Sequence, residues 1–165
     1  MKIFDTSSIV CILMEAKCPK VFDVCKKHGY ELCITKDVYN ELKRNPETFK
    51  RFQSFSGFTI LDDIDDSCTT KLSKRHPWLH SGELSVLCAG FLKSKKNENY
   101  HCIIDERARN LKEKYKLNIN GTIGLLLWQR DQLFEISSYE CSKLYDNIKK
   151  SPFRINENIL AELLK

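Results

Sequence analysis

The sequence predicts an α/β fold, a parallel sheet covered by helices on both faces, and three observations carry that expectation. Strand and helix patterns alternate from one end of the chain to the other, which is the signature of a parallel layered sheet. The helical run after Ser81 is apolar on almost every side, so it belongs inside the molecule and not on its surface. With 165 residues, 42% of them hydrophobic, the chain is long enough to close one core and too short for two domains of ordinary size. A single domain over 1–165 is expected, with a helical tail from about 138.

Element by element, Met1 to Phe4 is a short apolar strand that stops at Asp5-Thr6-Ser7-Ser8, and Ile9 to Ala16 reads as an apolar helix. Pro19 breaks that helix, and a second begins at Cys18-Pro19 and ends at His28-Gly29. A strand over Glu31 to Ile34 follows, then Thr35 as N-cap of a helix from Lys36 to Arg44. Asn45-Pro46 punctuates, Glu47 to Phe55 is helical, and Phe58 to Leu61 is a strand after Ser56-Gly57. The acidic run 62–66 lacks the glycine and closing glutamate of a calcium loop and reads as a solvated helix start.

His76 and His80 stand four apart, but Pro77 between them prevents their sharing one regular helix face, which disfavours a metal pair. The buried helix runs from Ser81-Gly82-Glu83 through Leu92, and a polar loop over Lys93 to Asn99 leads to a strand at His101 to Ile104. A helix to Lys116, a strand over Leu117 to Asn120, and a helix from Ile123 to Arg130 complete the alternation. The tail from Tyr139 is helical, interrupted at Ser151-Pro152-Phe153, with Asn156 capping the last segment.

Composition removes several function classes. The apolar content excludes disorder and collagen-like repeats, and no apolar run approaches the ~20 residues that span a bilayer. Asp5 interrupts the N-terminus before a signal-peptide core could form, so a cytoplasmic protein with no membrane association is expected. The eight cysteines contain no CxxC pair, and several lie in apolar patterns where a thiol acts as a small hydrophobe, so free thiols are expected and a structural zinc is disfavoured. A formal charge of +5 is compatible with a polyanionic partner without pointing to one.

Four carboxylates stand where chemistry is done in such sheets. Asp5 and Asp105 follow strands directly, at the carboxyl ends where ligands bind, while Glu41 and Glu83 lie on helices that follow strands. Singly each has a plain structural role, as cap, surface charge or helix-dipole acid. Gathered in one crevice they would repel one another unless a divalent cation neutralised them, and hard oxygen ligands suit magnesium or manganese. Two-metal sites of this type hydrolyse phosphodiesters. Phosphotransfer at Asp5-Thr6-Ser7 lacks the second Asp two residues on, and seryl chemistry lacks a histidine at another strand end.

The chain resembles the PIN-domain family, in particular a prokaryotic branch similar to VapC-type toxin ribonucleases. Ile3-Phe4-Asp5-Thr6-Ser7 resembles the family's opening motif, Val38-Tyr39-Asn40-Glu41-Leu42 the second, Gly82-Glu83-Leu84-Ser85-Val86-Leu87 the third and Ile103-Ile104-Asp105-Glu106-Arg107-Ala108-Arg109 the fourth. Gly121-Thr122-Ile123-Gly124 matches the small-residue turn after the last strand. The resemblance implies a three-layer α/β/α sandwich with about five parallel strands and a metal-dependent endoribonuclease using magnesium or manganese. Its acidic set would be Asp5, Glu41, Glu83 and Asp105, with Glu106 as an alternative or sharing ligand. The third acid is Glu83 where many relatives carry Asp.

For substrate contact the expected residues are Thr6, Ser7, Arg107, Arg109 and Thr122, with Lys36, Lys43, Arg44 and Lys112 as further phosphate contacts. RNA is the expected partner, with a cognate antitoxin protein and a homodimer as further expectations. A non-catalytic PIN-like module that binds RNA or protein is the alternative. No stacking platform or base-reading motif is visible in the sequence.

Overall fold

The structure, a computed structural model, describes the backbone of residues 1–165 and every side chain except those of Glu106 and Arg107. Five strands form one sheet: β1 (Lys2–Phe4), β2 (Leu32–Thr35), β3 (Phe58–Leu61), β4 (His101–Ile103) and β5 (Ile119–Asn120). All neighbours are parallel, and the spatial order is β3-β2-β1-β4-β5. Strand order therefore reverses between β1 and β4, and this is the switch point where a parallel sheet opens a crevice at its carboxyl edge.

The helices between the strands are α1 (Thr6–Val10), α2 (Lys20–Lys27), α3 (Lys36–Lys43), α4 (Pro46–Gln53), α5 (Asp66–Arg75), α6 (Ser81–Lys95) and α7 (Leu111–Tyr115). After β5 come α8 (Thr122–Asp131), α9 (Ser138–Lys149) and α10 (Glu157–Ala161). The α/β sandwich with a five-stranded parallel sheet is as the sequence predicts.

Alternation along the strands sorts the two covering layers. Ile3, Cys33 and Cys102 are in register on one face, which packs on α6: the Cys102 thiol reaches the Val86 carbonyl at 3.6 Å, and Thr35, two residues beyond Cys33, meets Ser85. Phe4, Ile34 and Ile103 point the other way, toward α2, where Phe4 meets Phe22 edge-on at 5.4 Å. Phe58 on β3 joins that aromatic group, 5.1 Å from Phe22 and 5.0 Å from Phe52. Each such pair adds ~0.5–1.5 kcal/mol beyond burial of its area.

Because β1 and β2 are buried on both faces, they hold the centre, and α6 packs against the sheet on one side and against α3 and α5 on others. That position explains a helix with no polar side over Leu84 to Gly90. All eight cysteines are free thiols, six of them buried among these side chains.

Several segments depart from the sequence expectation at their ends: β5 begins at Ile119 and not at Leu117, and α4 ends at Gln53 and not at Phe55. The first helix begins at Thr6 and not at Ile9, because the Asp5 carboxylate caps it, and it widens into a π-helical turn over Cys11–Glu15. The segment after Asp105 is a 3-10 turn over Glu106–Asn110 before α7 becomes regular. Helix α6 runs on to Lys95, with Lys93 and Lys95 at its negative end, so the polar loop is shorter than its composition suggests. None of the described helices is long and apolar enough to cross a membrane.

Packing at the sheet centre sets a stability contrast. Ile103→Ala, at a fully buried position, is expected to cost ~3 kcal/mol, whereas Ile60→Ala on the edge strand, 42% exposed, costs under ~1 kcal/mol; urea denaturation of the two variants measures both.

Candidate functional site

The two strands that flank the switch point each end in a buried aspartate. Asp5 follows β1 and is 2% exposed, and Asp105 lies two residues beyond β4 and is 5% exposed. Asp5 N–H donates to the Ile103 carbonyl at 3.1 Å, continuing the β1–β4 ladder to the edge of the crevice. A buried ionised carboxylate must be satisfied by donors, and both are.

Asp5 accepts from the Ser8 N–H at 2.7 Å through Oδ1 and from the Ser7 hydroxyl at 2.6 Å through Oδ2. Asp105 accepts from the Thr122 N–H at 2.8 Å and from the Thr122 hydroxyl, so its carboxylate caps helix α8 from outside that helix. Ser8 joins the pair, since its hydroxyl lies 3.3 Å from Asp105 Oδ2 and 3.0 Å from the Ile103 carbonyl.

The two glutamates sit on the helices of the α6 layer. Glu41 on α3 accepts from the Thr6 hydroxyl, from the Ser81 hydroxyl at 2.7 Å and from the Gly82 N–H at 2.8 Å. Glu83 Oε2 accepts from the His80 N–H at 2.9 Å, which closes the first turn of α6. Two of these acids lie so close to a glycine that a side chain there would displace the carboxylate. A Cβ at Gly82 would stand 2.5 Å from Glu41 Oε2, and one at Gly121 would stand 2.9 Å from Asp105 Oδ1.

The acids line two clefts that share a wall. A cleft of about 650 Å3 is lined by Asp5, Thr6, Ser7, Glu41 and Glu83, and one of about 850 Å3 by Glu83, Asp105 and Arg109. His80, Glu83, Phe153 and Arg154 border both. The structure thus brings all four sequence-derived acids to the carboxyl edge of the sheet. Among the described residues, no three His, Cys, Asp or Glu side chains are gathered closely enough to hold a metal ion together. Glu106 and Arg107 lie outside the described side chains.

Thr6, Ser7 and Thr122 each turn a hydroxyl to one of the acids, so in this arrangement they order carboxylates. Arg109 stays by Asp105, with Nη1 3.1 Å from where a Gly121 Cβ would be. Sequence reasoning missed Ser8, one residue beyond the opening motif, although it is the residue that links both aspartates. It also missed Trp78, Phe153 and Arg154, whose separation from the motifs along the chain left no local signal.

Burial raises the Asp5 pKa to about 7, the Asp105 charge pushes the same way, and the hydrogen bonds from Ser7 and Ser8 oppose them. Asp105 is also raised, again by burial first, with the Thr122 and Ser8 hydrogen bonds and the Arg109 charge pulling it down. Hard oxygen donors packed as buried like charges are the chemistry a divalent cation neutralises, so the chemistry of the Asp5 and Asp105 carboxylates fits such a cation.

A family model described as a PIN domain matches residues 1–165. The chain belongs to the PIN-domain family. It is a nuclease-type module, of a family that usually uses divalent metals. No curated protein and no solved structure gives a significant match.

The raised Asp5 pKa has a signed consequence for the metal-free protein. A group with a raised folded-state pKa gives stability that is complete below its unfolded value and lost as pH climbs through the folded one. The difference in unfolding free energy between the starting protein and Asp5→Asn, measured in EDTA, should therefore fall from pH ~4 to ~7 and then level. Asparagine caps a helix as well as aspartate, so at neutral pH the variant should melt at or above the starting protein.

Proposed function

We propose that this PIN domain is a divalent-metal-dependent endoribonuclease that hydrolyses RNA phosphodiester bonds, acting as the toxin of a toxin–antitoxin pair. The observation that carries the reading is the pair of buried aspartates at the carboxyl ends of β1 and β4, held on either side of the switch point by Ser8. Asp5 and Asp105 would hold magnesium or manganese, with Glu41 and Glu83 on the facing helices. The bound cation supplies Lewis-acid stabilisation of phosphoryl charge and lowers the pKa of water.

The chain's own groups do the positioning. Ser7, Ser8 and Thr122 fix the carboxylates by hydrogen bonds, and glycine at 82 and 121 lets backbone approach Glu41 and Asp105. Arg109 beside Asp105 offers a planar donor fork to a phosphate. The similarity of the four acidic motifs to VapC-type ribonucleases supports the toxin role, a cognate antitoxin as partner, a homodimer and a cytoplasmic setting.

A second reading, a non-catalytic module that binds RNA or protein, is favoured by the absence among the described residues of three metal-holding side chains at one point. Cleavage assays separate the two. RNA should be cut with magnesium or manganese and left intact in EDTA. Asp5→Asn and Asp105→Asn should each lower the rate at least 100-fold by taking a charge from the acid pair. Asp62→Asn and Asp65→Asn should change it less than twofold, since Asp65 only caps α5. Cleavage undiminished in chelator, or equal loss in all four variants, rejects the metal-dependent assignment.

A further inference from the structure

The larger cleft has an aromatic and basic wall that the four motifs do not account for. Trp78 lies in the connection between α5 and α6 and is 39% exposed, yet it lines the same cleft as Asp105 and Glu83. Its ring is held by a neighbour. His76 meets it edge-on at 5.5 Å, and His76 is itself buried, bound through Nε2 to the Tyr115 hydroxyl at 2.7 Å. Tyr115 in turn meets Phe91 of α6 edge-on at 5.3 Å, so the platform is anchored to the buried helix. An aromatic ring held by its neighbours and still 39% exposed loses little entropy when a base stacks on it.

The segment between α9 and α10 lines the same cleft. Phe153 and Arg154 lie on it and border both clefts. Both ends of this strap are tied down. The Ser151 hydroxyl donates to the Ile148 carbonyl at 2.8 Å and accepts from the Phe153 N–H at 3.1 Å, and Asn156 caps α10. Beyond α10, Leu160 and Leu163 are buried and Arg130 donates to the carbonyls of Glu162 and Leu163 at 2.9 and 3.2 Å. The tail is thus anchored on both sides of the segment that brings Phe153 and Arg154 to the clefts lined by the acids.

Arg109, Lys149 and Arg154 add positive charge to the cleft next to the aromatic faces. Cationic groups and the half-exposed ring of Trp78, in the cleft that Asp105 and Glu83 line, match one chemistry, a phosphate backbone whose bases are unstacked. A duplex keeps its bases paired and offers no free face to Trp78.

We propose that Trp78, Phe153 and Arg154 form the substrate groove of this protein, in which a single-stranded RNA segment stacks one base on Trp78 while Arg154 holds a neighbouring phosphate. The assignment rests on the ribonuclease reading for the nature of the strand and extends it to residues outside the acidic motifs. It makes the C-terminal strap part of the substrate site.

The test reads binding with cleavage switched off. In EDTA, a mixed-sequence single-stranded 12-nucleotide RNA should quench tryptophan emission of the full chain, and the same RNA annealed to its complement should not. Trp128 packs against Lys2 at 4.2 Å at the opposite edge of the sheet, so the quench should persist in Trp128→Phe and vanish in Trp78→Phe. By fluorescence anisotropy of labelled RNA, Trp78→Phe should bind within about twofold of the starting protein, because phenylalanine keeps a stacking face, and Trp78→Ala about tenfold more weakly. Arg154→Ala should reduce the slope of log affinity against log salt by about one. RNA that binds with Trp78 emission unchanged, or a duplex that quenches equally, overturns the groove and leaves the ribonuclease reading standing. Quenching by single strands with no cleavage in any divalent cation keeps the groove and removes the ribonuclease reading.

Discussion

Two carboxylates buried side by side where β1 and β4 end impose the constraint around which this end of the molecule is organised. An ionised carboxylate out of water is costly unless hydrogen-bonded, and a second one beside it adds repulsion. The surrounding sequence answers both demands. Ser7, Ser8 and Thr122 supply donors, two helices begin on the aspartates, and Arg109 brings positive charge to Asp105. What remains uncompensated shows as the raised pKa of both acids, which is the electrostatic demand a divalent cation meets.

The rest of the site is tied to that pair through the layer of α3 and α6. Thr35, at the end of β2, accepts from the Val38 N–H and so starts α3, while its hydroxyl meets Ser85 of α6 at 2.7 Å. Ser85 reaches back to the Gly82 carbonyl at 2.9 Å, and Gly82 donates to Glu41. One strand end thereby fixes both glutamate-bearing helices relative to the sheet. A fully satisfied buried polar network of this sort holds a geometry more tightly than apolar contact alone.

Structural and functional readings of these acids are not alternatives here. Asp5 is an N-cap, Asp105 caps α8 from 17 residues earlier in the chain, and Glu83 closes the first turn of α6, while all line the clefts at the sheet edge. The cap geometry is what aims each carboxylate. That is why residue-by-residue reading of the sequence found plausible plain roles for each acid and only their joint order along the chain pointed to chemistry.

The sequence by itself determined the alternation of strands and helices, the placement of acids after strands, and the burial of α6, because these follow from local apolar periodicity and from caps and breakers within a few residues. Phe58 to Leu61 and the Thr35 cap are where local reading places them. It also carried the acidic motifs, since each is a short contiguous pattern. Helix ends were less legible: at Thr6 and at Lys95 the boundary depends on a cap bond and on packing that composition does not record. Only the tertiary structure decided the strand order that puts β1 beside β4, and with it the meeting of Asp5 and Asp105 through Ser8. It alone brought Trp78 and the strap carrying Phe153 and Arg154 to one cleft, because contacts between segments some 75 residues apart are set by how layers pack and leave no local period in the chain.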